Sequence, residues 1–166
     1  TKGTKIYFYV THIPEEKRDP VMEIVGTEGK ISWKMNEETK IELNNGDVIE
    51  FDNGGLDPKK EVFRIAADKQ LSLIEDLYCT PENTRNFVVA INGAYDSAQK
   101  IKTIPADLVN EFTNADGEYQ TVLPGIDQLI DQAFAERKLL SDLDTDWAVK
   151  TEWINVENYP GFNPFN

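Results

Sequence analysis

The stretch Val21-Met22-Glu23-Ile24-Val25-Gly26-Thr27-Glu28-Gly29-Lys30-Ile31-Ser32-Trp33-Lys34-Met35 decides how this chain is read. Apolar and polar side chains alternate on either side of a glycine-bounded turn, as in a β-hairpin whose strands each bury one face. Val21–Gly26 and Lys30–Met35 are expected as strands joined by Thr27-Glu28-Gly29, with glycine where a positive φ is needed. Downstream, Lys40–Leu43 and Asp47–Phe51 flank Asn44-Asn45-Gly46, a second hairpin signal. Upstream, Lys5–Thr11 sets Ile6, Phe8 and Val10 against Tyr7, Tyr9 and Thr11, a pattern that predicts one more strand. The first fifty residues thus predict an antiparallel meander.

The period then changes. Asp57-Pro58 has the form of an N-cap with proline at the first helical position. Phe63, Ala67, Leu71, Ile74, Leu77 and Tyr78 follow at helical spacing up to Cys79. Thr80-Pro81-Glu82-Asn83 restarts the chain, and Phe87, Ile91, Ala94, Ala98 and Ile101 form the stripe of a second helix. Gly93 inside that helix costs roughly 1 kcal/mol relative to alanine, which indicates close packing against a neighbour. A short helical turn is expected over Ala106–Phe112, then a loop over Thr113–Tyr119. A third helix carries Ile126, Leu129, Ile130, Ala133 and Phe134 and ends near Leu143. Strands first and helices after give an α+β class: one domain, residues 1–166, with an open, mainly antiparallel sheet and helices packed on one face. Residues 145–166 are expected as an extended C-terminal tail.

Composition narrows the function. The 166 residues hold thirty Asp and Glu against seventeen Lys and Arg, a net charge of −13. That sign opposes a nucleic-acid backbone, so no nucleic-acid partner is expected. No apolar run reaches the length of a membrane span, and none is expected to enter one. A single cysteine, Cys79, allows no internal disulfide and reads as a small buried hydrophobe. That count fits a reducing compartment or a protein indifferent to reductant and does not decide between them; a cytoplasmic location is the expectation. One histidine, His12, is too few for a usual zinc set, so no metal site is expected. The alternating acids Asp142, Asp144 and Asp146 lack the glycine and bidentate glutamate of a calcium loop. Neither a nucleophile elbow nor a glycine-rich phosphate cradle occurs, Asn53-Gly54-Gly55 having the wrong spacing.

Four phrases stand in a fixed order: Ile24-Val25-Gly26-Thr27-Glu28-Gly29-Lys30-Ile31, Thr80-Pro81-Glu82-Asn83, Ala94-Tyr95-Asp96-Ser97-Ala98, and Ile101 to Pro105. Over about eighty residues this set resembles the C-terminal domain of the glucose–fructose oxidoreductase / inositol dehydrogenase (Gfo/Idh/MocA) family. The resemblance implies the substrate-side and oligomerisation domain of an NAD(P)-dependent sugar or polyol oxidoreductase. It implies partners as well: a Rossmann domain holding NAD(P), or further copies joined through an open sheet face. The family's Glu-Lys-Pro motif is absent, and Phe8 stands where its D-x-x-x-H motif would place an Asp before His12. No catalytic, cofactor-binding or metal residue carries over, so the chain is not expected to turn over alone. The residues marked for the open sheet face are Tyr7, Tyr9 and Trp33, because large rings on such a face suit a partner. A stand-alone acidic α+β protein-interaction module is the alternative reading.

Overall fold

The computed structural model describes residues 3–52, 55–99 and 101–162. Strands β1 (Val21–Val25), β2 (Gly29–Lys34), β3 (Thr39–Leu43) and β4 (Val48–Phe51) precede helices α1 (Pro58–Gln70) and α2 (Pro81–Ala98). Strands β5 (Asn110–Thr113) and β6 (Tyr119–Val122) and helix α3 (Ile126–Glu136) complete the order. The four-stranded sheet runs β1-β2-β3-β4 and the two-stranded sheet β5-β6; both are antiparallel and open, and the class is α+β. The chain divides into two compact units, Arg18–Pro81 and the pair Thr1–Lys17 with Glu82–Asn166.

In the first unit the hairpin turns knit the meander together. The Gly26 N–H donates to the Gly29 carbonyl at 2.9 Å, so the turn holds two residues, Thr27 and Glu28, rather than the three expected. Gly29 opens β2, and its glycine serves the neighbouring strand: a Cβ there would stand 2.2 Å from the Glu42 carbonyl oxygen of β3. The next loop leans on this one. Asn44 donates its backbone N–H to the Glu28 carbonyl (2.9 Å) and its side-chain amide to that of Thr27 (2.7 Å). Asn44-Asn45-Gly46 forms the expected hairpin loop, with Gly46 at φ 94°.

Helix α1 starts as its sequence dictates, the Asp57 carboxylate accepting from the N–H groups of Lys59 and Lys60 behind Pro58. It ends at Gln70, well short of Cys79. Ser72 takes the left-handed conformation (φ 57°), its N–H reaching the Lys69 carbonyl while that of Leu73 reaches Asp68. This is a Schellman closure built on serine instead of glycine. Helix α3 closes the same way at Arg137 (φ 53°), before the expected end near Leu143. No residue of α1 is buried, and Cys79 is exposed, not buried as expected.

In the second unit Lys5–Thr11 is not a strand. The segment pairs with no strand, and Ile6, Phe8 and Val10 face outward. Alternation here marks an arm along α3. The Tyr9 hydroxyl sits 2.9 Å from the Ala133 carbonyl oxygen and 2.7 Å from that of Lys138, covering the C-terminal end of α3. The Ile13 carbonyl accepts from Leu123 N–H, Glu15 accepts from Gly125 N–H, and Glu16 N–H donates to the buried Asp127 at the other end. Among the described residues, Leu123, Ile126, Ala133 and Val89 are the buried apolar side chains. The helical turn expected over Ala106–Phe112 is a single 3-10 turn, Ala106–Leu108, running into β5.

Two substitutions test this account by thermal unfolding. Gly29→Ala is expected to cost about 2–3 kcal/mol, because the clashing atom is backbone and cannot swing away. Ser72→Gly is expected to stabilise by about 0.5–1 kcal/mol by relieving the left-handed penalty.

Candidate functional site

Register places every side chain of the four-stranded sheet. Ile24 pairs with Ile31, Ile31 with Ile41, and Ile41 with Ile49, so four isoleucines form one row across the strands. Met22 pairs with Trp33 on the same face, and Leu43 and Phe51 share it by the two-residue period. The opposite face carries charge. Lys30 lies 3.8 Å from Glu23 and 3.3 Å from Glu42, and Lys40 lies 3.4 Å from Glu42. Hydrogen bonding from Lys30, then the Lys40 and Lys30 charges, hold the Glu42 carboxyl below its ordinary range.

The unit's own residues do not cover the apolar face. Met22 is 47% exposed, Ile24 49%, Ile49 44% and Phe51 52%, while Ile31, Trp33, Ile41 and Leu43 are half-buried. Among the described residues of Arg18–Pro81 none is buried. Cross-strand isoleucine pairs and a Met–Trp pair stabilise a sheet only modestly while water reaches both faces. Contiguous exposed apolar patches are uncommon on a protein that acts alone, which makes this face the candidate site.

Of the residues marked from the sequence, Trp33 lies on this face. Tyr7 and Tyr9 do not lie on a strand: their rings stack with centroids 6.5 Å apart at 9°, in the arm along α3. Burial, and then the neighbouring Tyr7, raise the Tyr9 hydroxyl above the ordinary tyrosine range. The isoleucine row, which the sequence reading did not single out, carries the surface instead. Its signal was present as Ile24, Ile31, Ile41 and Ile49, each on the alternating phase of its strand.

Two of the helix starts offer no place for the pyrophosphate of a nicotinamide dinucleotide. A pyrophosphate would need free N–H groups at a helix start. At α1 those groups are taken by Asp57, and at α3 Glu15 occupies Gly125 N–H, so both starts already carry negative charge. Asn53 and Gly54 lie outside the described residues. Among the described residues no three His, Cys, Asp or Glu are grouped to hold a metal, and no helix is long and apolar enough to cross a membrane. A cleft of about 490 Å³ in the second unit is lined by Asp107, Asn110, Asp144, Asp146 and Trp147, among others. The acids of the Asp142–Asp146 run that line it are exposed, and Asp142 pairs with Lys150 at 3.1 Å. No protein-family model, curated protein or solved structure matches this chain.

The charged face sets a pH dependence. Glu42 is held low in the folded chain, so its contribution is present above the ordinary glutamate pKa and is lost as pH falls through the depressed value. Glu42→Gln is expected to flatten the acid limb of a melting-temperature profile while leaving its neutral part almost unchanged, since exposed pairs contribute little.

Proposed function

We propose that this chain is the substrate-side and oligomerisation domain of an NAD(P)-dependent sugar or polyol oxidoreductase of the glucose–fructose oxidoreductase / inositol dehydrogenase kind, not catalytic on its own. The observation that carries the reading is the uncovered isoleucine row on an open sheet whose unit buries none of its described residues. Such a face is completed by association. The β1–β2 hairpin around Gly26 to Gly29 and the Ala94-Tyr95-Asp96-Ser97-Ala98 phrase on α2 support the family reading. Nicotinamide binding belongs to a separate Rossmann domain, since these 166 residues contain no glycine-rich fingerprint.

The acidic balance of the chain favours a second reading, a protein-interaction module using the same face without any oxidoreductase. The two part on one fact: a reading frame with G-x-G-x-x-G directly upstream belongs only to the first.

Ile41→Glu places a charge at the centre of the row without changing the strand's partners. It is expected to shift the sedimenting species from oligomer to monomer with strand and helix content unchanged by circular dichroism. An unchanged mass at every concentration contradicts the docking face. Micromolar binding of NADH to the wild-type chain in calorimetry contradicts the detached-domain reading and leaves the docking face standing.

A further inference from the structure

The described part of the tail lies against a helix. Beyond α3 the chain forms a 3-10 turn at Leu140–Asp142, and among the described residues no helix or strand follows. Instead the segment Thr151–Tyr159 lies along α2, in the same compact unit, and runs antiparallel to it. Ser97 Oγ donates to the Glu152 carbonyl at 2.6 Å and lies 2.8 Å from Thr151 Oγ1. One turn back, Gly93 is buried beneath the tail: a Cβ there would meet Val156 Cγ1 at 2.9 Å and Ile154 Cδ1 at 3.4 Å. Further back, the Arg85 guanidinium donates to the Tyr159 carbonyl at 3.2 Å, and the Tyr159 hydroxyl donates to Asp96 Oδ2. Phe162 packs on Tyr95 at 6.0 Å between ring centroids.

Arg85, Val89, Gly93, Asp96 and Ser97 recur at three- and four-residue spacing, so they share one face of α2. This face is rotated from the Phe87, Ile91, Ala94 and Ala98 stripe that the apolar pattern predicts; Phe87 is 63% exposed. What it offers is a set of separate recognition elements. Gly93 opens a slot for two β-branched side chains, Ser97 and Arg85 read peptide carbonyls, and Asp96 reads a phenol. Trp153, by contrast, points away and is 99% exposed, so the largest side chain of the segment contributes nothing to its docking. Nonspecific apolar collapse would have placed that ring inward.

We infer that α2 is a peptide-recognition groove for an extended segment of the pattern Thr-x-x-Ile-x-Val-x-x-Tyr, occupied in this chain by its own residues Thr151–Tyr159. Its logic is that of an intramolecular ligand: tethering gives the tail a high effective concentration, so a segment of modest intrinsic affinity holds the groove. A competing segment must therefore carry the same slot-filling and hydroxyl groups. This inference is independent of the oxidoreductase reading, because it uses neither the sheet nor a substrate.

The test uses the full chain and a fluorescein-labelled peptide of residues 149–162. Val156→Asp with Tyr159→Phe releases the tethered segment. This double variant is expected to bind the peptide at least tenfold tighter than the wild-type chain in fluorescence anisotropy, and adding Gly93→Val is expected to abolish that gain. Equal binding to wild type and release variant overturns the inference. Because Gly93→Val also risks disturbing α2, a double-mutant cycle supplies a second arm on a residue that need not alter the helix. The peptide with Tyr159→Phe should lose affinity for the release variant but not for the release variant that also carries Asp96→Ala. Additive losses in that cycle overturn the assignment of Asp96 as the phenol reader.

Discussion

Strand register is the constraint on which the first unit depends. Ile24, Ile31, Ile41 and Ile49 line up only because β1 through β4 pair in one alignment, and a slip of a single residue would send each isoleucine among the lysines and glutamates of the other face. Gly29 guards that alignment. Its missing Cβ lets β3 pass so close that any other residue would push the strands apart. Asn44 reinforces it from the next loop by holding the carbonyls of Thr27 and Glu28. The backbone network thus fixes a sheet whose apolar side its own unit leaves exposed. The free energy that ordinarily comes from burying such a side is not gained within this unit.

The second unit solves the same problem differently. Its helices are short of apolar partners, so extended segments serve instead. The arm from Tyr9 to Glu16 spans α3 from its last carbonyls to its first N–H groups, and the buried Asp127 is satisfied by the Glu16 N–H. On α2 the tail does the corresponding work through Gly93, Ser97, Asp96 and Arg85. Tyr159 marks that contact electrostatically: hydrogen bonding to Asp96, then desolvation and the Asp96 charge, push its hydroxyl up to about 12. A raised tyrosine contributes while protonated, so this contact is present at neutral pH and fades only as pH climbs from the ordinary tyrosine value toward 12.

Much of this was legible before the structure. The meander, the open antiparallel α+β class, the caps at Asp57-Pro58 and the tight neighbour of Gly93 all follow from residue chemistry. Misreadings cluster where one pattern has two physical meanings. Tyr7 and Tyr9 alternate like strand residues, yet a solitary extended arm alternates too. The three helix ends close at Ser72, Gln99 and Arg137, left-handed residues that are not glycine, so no stop signal marked them. Hairpin β5–β6 was missed although Ala115-Asp116-Gly117, flanked by Asn114 and Glu118, makes the same backbone pattern as the Asn44-Asn45-Gly46 loop flanked by Leu43 and Asp47, with Gly117 at φ 83°. Its strands, Asn-Glu-Phe-Thr and Tyr-Gln-Thr-Val, are too polar to show the apolar alternation that marks β4. The isoleucine row was hidden for another reason: pairing across strands is a property of register, which no single strand displays.

Side-chain oxidation gives the most direct measurement of the central proposal, that the apolar sheet face is covered by association. Met22 lies on that face opposite Trp33, whereas Trp153 lies off the sheet and is 99% exposed. Pulsed oxidation of the full chain, read by peptide mass spectrometry across a dilution series, compares them within one molecule. The account predicts that Met22 oxidises readily when dilute and becomes protected as concentration rises, with Trp153 unchanged throughout. Met22 protection that is already complete at the lowest concentration, or that never develops, would contradict it.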